Sequence, residues 1–281
     1  MPKLQRLILP AVALAAFSTP AFAQDRDKSG DFDGVYVGGS VGLSTRSGDA
    51  GNTVIFDTQR DVGTNNTVTT STGANAFSTG FCNGSSTATN NVSSSCVGDD
   101  DAIEYAVKIG FDKRFGNVVG GLLIEGSKNE STDSVTAFST TPAGYSFTRG
   151  IDYAVSARAR LGITRGGGGG LFYATGGGSY ARIDHGFTTT NTANSFTQNN
   201  DDDMVWGWQA GGGAEIMLGS SLSLGMEYLY NRYDDDKFNV GIGTGTAGVT
   251  NPFVLAGGVT ARPSDTSYDF HTFRATLGFH F

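Results

Sequence analysis

After its first two dozen residues the chain has no run of the ~20 consecutive apolar residues that a membrane helix requires, because charged or polar side chains interrupt every apolar stretch. Helical membrane insertion is excluded there; insertion as strands is not. Basic residues are also in short supply, 19 Lys and Arg against 27 Asp and Glu, for a formal net charge of −8. An acidic chain repels phosphodiesters, so nucleic acid is excluded as a partner. Proline is limited to 6 residues, whereas Gly reaches 42. Glycine weakens ordinary helices and strands, and such an excess suits a tightly curved sheet better than a soluble domain. Only three histidines occur, His185, His271 and His280, and none lies near the two cysteines, Cys82 and Cys96. That spacing gives no zinc site, and no cofactor is expected. The cysteines lie close together in a polar stretch, where a disulfide stapling a local loop is the expected role.

The N-terminus holds Lys3 and Arg6, an apolar run from Leu7 to Phe17 and then Ala21-Phe22-Ala23. This is the order of a secretory signal, with cleavage expected between Ala23 and Gln24. The run is too short for a membrane anchor and contains Pro10. Removing two bases and no acids leaves 17 against 27, or about −10, for the exported part.

Eight segments alternate with period two, at about 33–44, 102–115, 118–129, 151–165, 171–184, 204–217, 221–233 and 268–281. The connections between them alternate as well. Long polar stretches at about 45–101, 130–150, 185–203 and 234–267 are separated by short turns at Gly116-Asn117, Gly166 to Gly170 and Leu218 to Ser220. Short turns on one side and long loops on the other are the signature of an up-and-down transmembrane barrel, with the long loops outward and both termini periplasmic. The fold class expected is all-β, an eight-stranded antiparallel barrel over 33–281 preceded by a short periplasmic segment at 24–32. A soluble β-sandwich would alternate too, but its loops have no reason to sort by length.

The faces of the strands sort in the same way. Ile103, Tyr105, Val107, Ile109 and Phe111 oppose Glu104, Lys108 and Asp112, while Tyr153, Val155, Leu161 and Ile163 oppose Asp152, Arg158 and Arg160. A charge on the lipid face costs roughly 2–4 kcal/mol at the midplane, so the apolar rows face lipid and the charged rows face the lumen. In the strand at 118–129, Leu123 and Glu125 share a face, and the glutamate assigns it to the lumen. The inward set is then Glu104, Asp112, Glu125, Asp184, Glu215 and Glu227 with Lys108, Arg158, Arg160, Arg182 and Arg274. Buried charges persist only when partnered, and eight strands leave an interior that side chains can fill. A wide pore is not expected.

The strand Gly34-Val-Tyr-Val-Gly-Gly-Ser-Val-Gly, the strand Gly207-Trp-Gln-Ala-Gly-Gly-Gly-Ala-Glu, the strand Leu222-Ser-Leu-Gly-Met-Glu-Tyr-Leu-Tyr and the terminal Phe281 together give the chain its resemblance to small outer-membrane barrels of the porin-like, opacity-protein and OmpA-like kind. The resemblance implies residence in the cell outer membrane, with outer-membrane lipid and lipopolysaccharide as surroundings. It also implies insertion by the barrel assembly machinery, which reads a C-terminal strand of alternating aromatic or apolar residues. Phe273, Leu277, Phe279 and Phe281 supply that pattern, while Arg274, Thr276 and His280 face the lumen.

Three features invite chemistry. The glycine runs at 166–170 and 176–178 lack the strand-to-helix context of a phosphate cradle and read as a turn and a close-packed strand. His185 and His271 lie toward the outer rim, but the sequence fixes neither a nucleophile nor an orienting partner, and catalysis is not expected. The acidic triplets Asp99-Asp100-Asp101, Asp201-Asp202-Asp203 and Asp234-Asp235-Asp236 stand where strands meet outer loops. Solvated loop bases are the simpler reading; a ring holding Ca²⁺ or Mg²⁺ at lipopolysaccharide phosphates is the sharper one. The stretch Thr64–Ser95 is rich in Ser, Thr, Asn and Gly and cannot order itself alone, so it is either flexible or a hairpin pinned by the cysteines. Adhesion or recognition of an extracellular ligand would use these outer loops. The functional expectation is a structural or surface-interaction barrel; the alternatives are a narrow channel for small solutes and a rim enzyme hydrolysing lipid or peptide.

Overall fold

The computed structural model describes residues 32–46, 51–58, 65–86, 96–99, 101–164 and 169–281. The signal segment with its Ala23/Gln24 cleavage site, Asp100 and Gly166 to Gly168 lie outside the described residues. In chain order the strands are β1 (Gly34–Arg46), β2 (Val54–Thr58), β3 (Phe81–Asn83), β4 (Ser85–Ser86), β5 (Cys96–Val97), β6 (Ala102–Phe115), β7 (Val118–Asn129), β8 (Thr132–Ser139), β9 (Ala143–Thr164) and β10 (Gly170–Thr189). There follow β11 (Ser195–Asn199), β12 (Asp202–Met217), β13 (Leu222–Asp234), β14 (Asn239–Gly243), the short helix α1 (Pro252–Leu255), β15 (Val259–Pro263) and β16 (Ser267–His280).

Eight of these strands close on themselves in the order β1, β6, β7, β9, β10, β12, β13, β16, every neighbour antiparallel and β16 returning to β1. The eight-stranded barrel expected from the period-two segments is therefore present. Closure leaves no sheet edge, the condition for strands in a bilayer. The seam between β1 and β16 runs from Tyr36 opposite His280 to Arg46 opposite Phe270.

Several glycines make room inside. A Cβ at Gly110 would fall 2.4 Å from the Tyr36 ring, and one at Gly213 would fall 2.7 Å from the Tyr173 hydroxyl. The large inward side chains lie over positions that carry none, which accounts for part of the glycine excess.

The barrel extends past the membrane. β9 has 22 residues, about 70 Å of strand at ~3.3 Å per residue, where a tilted membrane strand needs ~9–11. Two of the long loops are thus largely strand: 130–150 contains the β8–β9 hairpin, and 185–203 continues β10 and adds β11. The other loops supply β2, β14 and β15, which pair with β11 in a separate four-stranded sheet ordered β11, β14, β15, β2. A core lies within this outer tier, built from Val54, Phe56, Val68, Phe77, Val135, Tyr145, Phe147, Val240, Ile242, Phe253 and Val259. Val68, Ala76 and Phe77 come from the Ser/Thr/Asn-rich stretch. Its described part, 65–86, docks on the β8–β9 hairpin, where Phe81 pairs with Ala137, and buries its apolar side chains against other segments. The Cys82–Cys96 disulfide is formed, and β4 pairs with β5 beside it.

Of the segment at 24–32 only Phe32 is among the described residues. Phe32 is fully buried, enclosed with Val119, Leu171 and Tyr173 in the mouth of the barrel on the side of the short turns, and its ring meets His280 edge-on at 5.4 Å.

Candidate functional site: a closed lumen beneath an ordered outer tier

The outward face defines how the molecule sits. Val41, Leu43, Ile103, Val107, Leu122, Ile124, Leu161, Ile163, Phe172, Met226 and Phe273 are all exposed, with Met226 at 74%. An apolar belt this continuous has no place in water. At its outer margin stand amphipathic rings. Tyr180 packs on Trp206 at 4.9 Å, Trp208 on Tyr230 at 5.3 Å, and the Tyr228 hydroxyl hydrogen-bonds Nδ1 of His271 at 2.7 Å. The C-terminal residues Phe273, Leu277, Phe279 and Phe281 all point outward on this belt.

Inside, nine charged side chains are nearly inaccessible. Glu104, Asp112, Glu125, Glu215 and Glu227 face Lys108, Arg158, Arg160 and Arg274, none more than 6% exposed. Arg274 donates to Glu104 at 3.0 Å, to Glu125 at 2.7 Å and to Glu227 at 2.5 Å. Arg158 donates to Glu125 at 2.9 Å and Glu227 at 3.3 Å. Arg160 forks onto Asp112, reaches Glu215 at 3.1 Å and lies 4.5 Å from the Tyr36 ring centre. Five acids against four bases, each acid salt-bridged, is the condition under which buried ions are tolerated.

Arg182 and Asp184 are not part of this set. In β10 the odd residues from Leu171 to His185 point inward and the even ones outward, so Arg182 lies outside on Asp202 and Asp184 is exposed. Asp152 also leaves the lumen. The β9–β10 register shifts between Arg182 and Ile183, whose partners are Tyr153 and Ile151, and Asp152 is passed over. This bulge reverses the parity of β9 and moves Asp152 outside, where it pairs with Lys128 at 3.2 Å. The physical reason lies directly inside the bulge. There Ile151, Ala154, Ala181, Ile183, Val205, Tyr233, Tyr268 and Phe270 form an apolar plug above the ions, and an acid among them would have no partner. Leu123 and Glu125 do face inward together, at 3% and 1% exposure.

Above the plug lies a second charged layer that strand counting missed. Arg149 donates to Asp133 at 2.5 Å, Asp235 at 2.9 Å and Asp265 at 2.9 Å, and Arg46 pairs with Asp133. It was hidden in the sequence because Tyr145, Phe147, Arg149 and Ile151 share the odd parity of the outward Tyr153 and Val155, and only the bulge at Asp152 turns them inward. His185 joins this layer, its Nε2 2.9 Å from Asp235 and its ring stacked on Phe238 at 4.5 Å. Burial raises the Asp235 carboxyl, but the His185 hydrogen bond and the Arg149 charge outweigh it and hold the group below its ordinary value.

The described residues of the acidic triplets are engaged separately. Asp99 accepts from Ser134 at 2.6 Å, Asp202 is paired with Arg182, Asp203 with Lys237 at 3.0 Å, and Asp235 with Arg149. Asp101, Asp201, Asp234 and Asp236 are exposed. Among the described residues no three His, Cys, Asp or Glu side chains gather as a metal site.

A closed barrel with an unbroken apolar belt, an outer girdle of Tyr and Trp and a charged, filled interior is a transmembrane β-barrel of the outer-membrane type. No family model and no curated protein matches the sequence. Among solved structures the chain is similar to the outer membrane protein OprG from Pseudomonas aeruginosa, at 11% identity and a TM-score of 0.49, over 90% of this chain and 99% of that one. It is also similar to the outer membrane protease OmpT from Escherichia coli, at 11% identity and a TM-score of 0.37, over 89% of this chain and 97% of that one. The residues of this chain alone carry the functional reading that follows.

Proposed function

We propose that the protein is a non-conducting, non-catalytic barrel of the outer membrane whose function lies in its ordered outer tier, as a platform for surface interaction. One observation carries this reading: from Phe32 to the outer core the interior is filled by four successive layers, apolar, ionic, apolar and ionic. A solute would have to break buried pairs to pass, each break costing several kcal/mol. Energy spent on a double plug and on a folded tier outside the bilayer supports presentation of a surface, not transport.

Within this reading, outer-membrane lipid and lipopolysaccharide surround the belt, and the barrel assembly machinery engages the β16 pattern. Orientation is tested by single cysteines labelled with a membrane-impermeant maleimide on intact cells. A Cys82→Ser/Cys96→Ser background carrying Val249→Cys, which is 81% exposed in the outer tier, should label at once. Asn117→Cys, in the short β6–β7 turn, should label only after the outer membrane is permeabilised. The reverse pattern would overturn the placement.

A further inference from the structure

The far end of the outer tier is hollow. The tip of the β8–β9 hairpin, the turn between β10 and β11 and the start of α1 surround a cavity of about 230 Å³. Behind its wall stand three aromatic rings in mutual contact, each only 3–4% exposed: Phe77 lies 5.4 Å from Tyr145 and 6.0 Å from Phe253, and Tyr145 lies 5.9 Å from Phe253. The polar side of the wall is held in place before any ligand arrives. Asn191 Nδ2 donates to the Tyr145 hydroxyl at 2.9 Å and to Asn194 Oδ1 at 3.0 Å, while Asn251 Oδ1 accepts from the Phe253 amide at 3.0 Å. Exposed hydroxyl side chains of Thr140, Thr141 and Thr192 stand at the mouth.

The lining contains no charged residue, although 16% of the chain is charged and the tier below is densely ionic. An anionic ligand would be desolvated here without a counter-charge, and a cationic one without an acid, so both are disfavoured. A ligand suited to this wall has a compact apolar part for the prolines and ring margins and several neutral donors and acceptors for the amides and hydroxyls. The volume is below the usual ~300 Å³ lower bound for drug-sized ligands, which restricts the occupant to a single small ring.

We propose that this cavity binds one neutral sugar ring, its C–H groups against the apolar wall that Pro142 and Pro252 share with the margins of the rings, and its hydroxyls at the Thr and Asn rim. A free monosaccharide and the terminal unit of a surface glycan share that chemistry. The proposal rests on the reading of the outer tier as the interaction surface and is independent of whether the lumen conducts.

The test uses the full chain refolded in detergent, with saturation-transfer NMR against glucose, galactose and mannose separately, and an array of neutral, sialylated and sulfated oligosaccharides. Saturable binding of at least one neutral hexose is expected in roughly the millimolar range, given the few atoms engaged. Thr141→Glu and Thr192→Glu, at exposed positions that leave folding intact, should each weaken it at least tenfold. Array signal on neutral chains would assign a glycan terminus; binding of free hexose with a blank array would assign the monosaccharide. The proposal is overturned if no neutral sugar binds while near-ultraviolet dichroism shows the outer tier folded, if both glutamate variants bind unchanged, or if charged glycans are preferred. Maleimide labelling and conductance would be unaffected by any of these results, so failure here is separable from failure of the surface-platform reading.

Discussion

Replacing Arg274 by methionine should destabilise the barrel by about 3–5 kcal/mol, the usual cost of removing one partner from a buried ionic cluster. Its guanidinium serves three carboxylates, and their dependence on it is unequal. Glu125 and Glu227 each retain Arg158, whereas Glu104 retains only the Thr272 hydroxyl at 2.7 Å. The loss therefore falls mainly on Glu104, at 5% exposure an almost unsolvated anion. Adding Glu104→Gln to the Arg274→Met variant removes that orphan charge and should restore at least half of the loss. Equilibrium urea unfolding in lipid vesicles, read by the fluorescence of Trp206 and Trp208, measures both. With a slope of about 2 kcal/mol per M, the single variant's midpoint should fall by about 2 M. Arg182→Ala is the control, since that ion pair stands outside in solvent, and its midpoint should not move. A loss below about 1 kcal/mol for Arg274→Met, or one no larger than that of Arg182→Ala, would show that the lumen is wet and refute the packing argument.

Three further outcomes follow from the same geometry. The depressed Asp235 carboxyl contributes stability that is complete above its unfolded value near pH 4 and is lost as pH falls through the lower folded value; amide exchange in β14 and β15 should therefore step up in acid while β6 does not, and Asp235→Asn should abolish the step. Reducing Cys82–Cys96, which closes a loop of sequence separation 14, should cost roughly 3 kcal/mol, confined to the outer tier, so that Phe81–Ser86 becomes protease-sensitive while the barrel keeps its resistance to unfolding in cold detergent. Deleting Phe281 should lower outer-membrane yield more than it lowers the stability of protein refolded in detergent; equal yields would remove the assembly role from that residue.

Most of the barrel was legible because lipid and lumen impose opposite chemistry on alternate residues, and a charge such as Glu125 decides a face even beside Leu123. Parity fails where that contrast ends. Past the belt, the outer side of β10 meets water, so Arg182 and Asp184 can point outward at little cost, and alternation no longer reports on which side is buried. The bulge at Asp152 was hidden for a related reason: a strict period of two through Asp152, Arg158 and Arg160 looks continuous, and only the apolar plug built by Ile151, Tyr233 and Tyr268 forces the acid out. The outer tier was read as loops because its strands are short and its core is assembled from segments more than two hundred residues apart, with Phe56 pairing opposite Ala261. Tyr145, Phe147 and Arg149 share the parity of the outward Tyr153 and Val155, so without the bulge nothing marked them as an inward continuation of β9.

The central claim is that the lumen is closed, and single-channel recording in planar bilayers tests it most directly. The wild-type protein should show no steady conductance, and a variant carrying Arg158→Ala, Arg274→Ala, Tyr233→Ala and Tyr268→Ala, which opens both the ionic layer and the apolar plug, should show a measurable one. A stable conductance in the wild type that these substitutions alter would contradict the account and make the protein a channel.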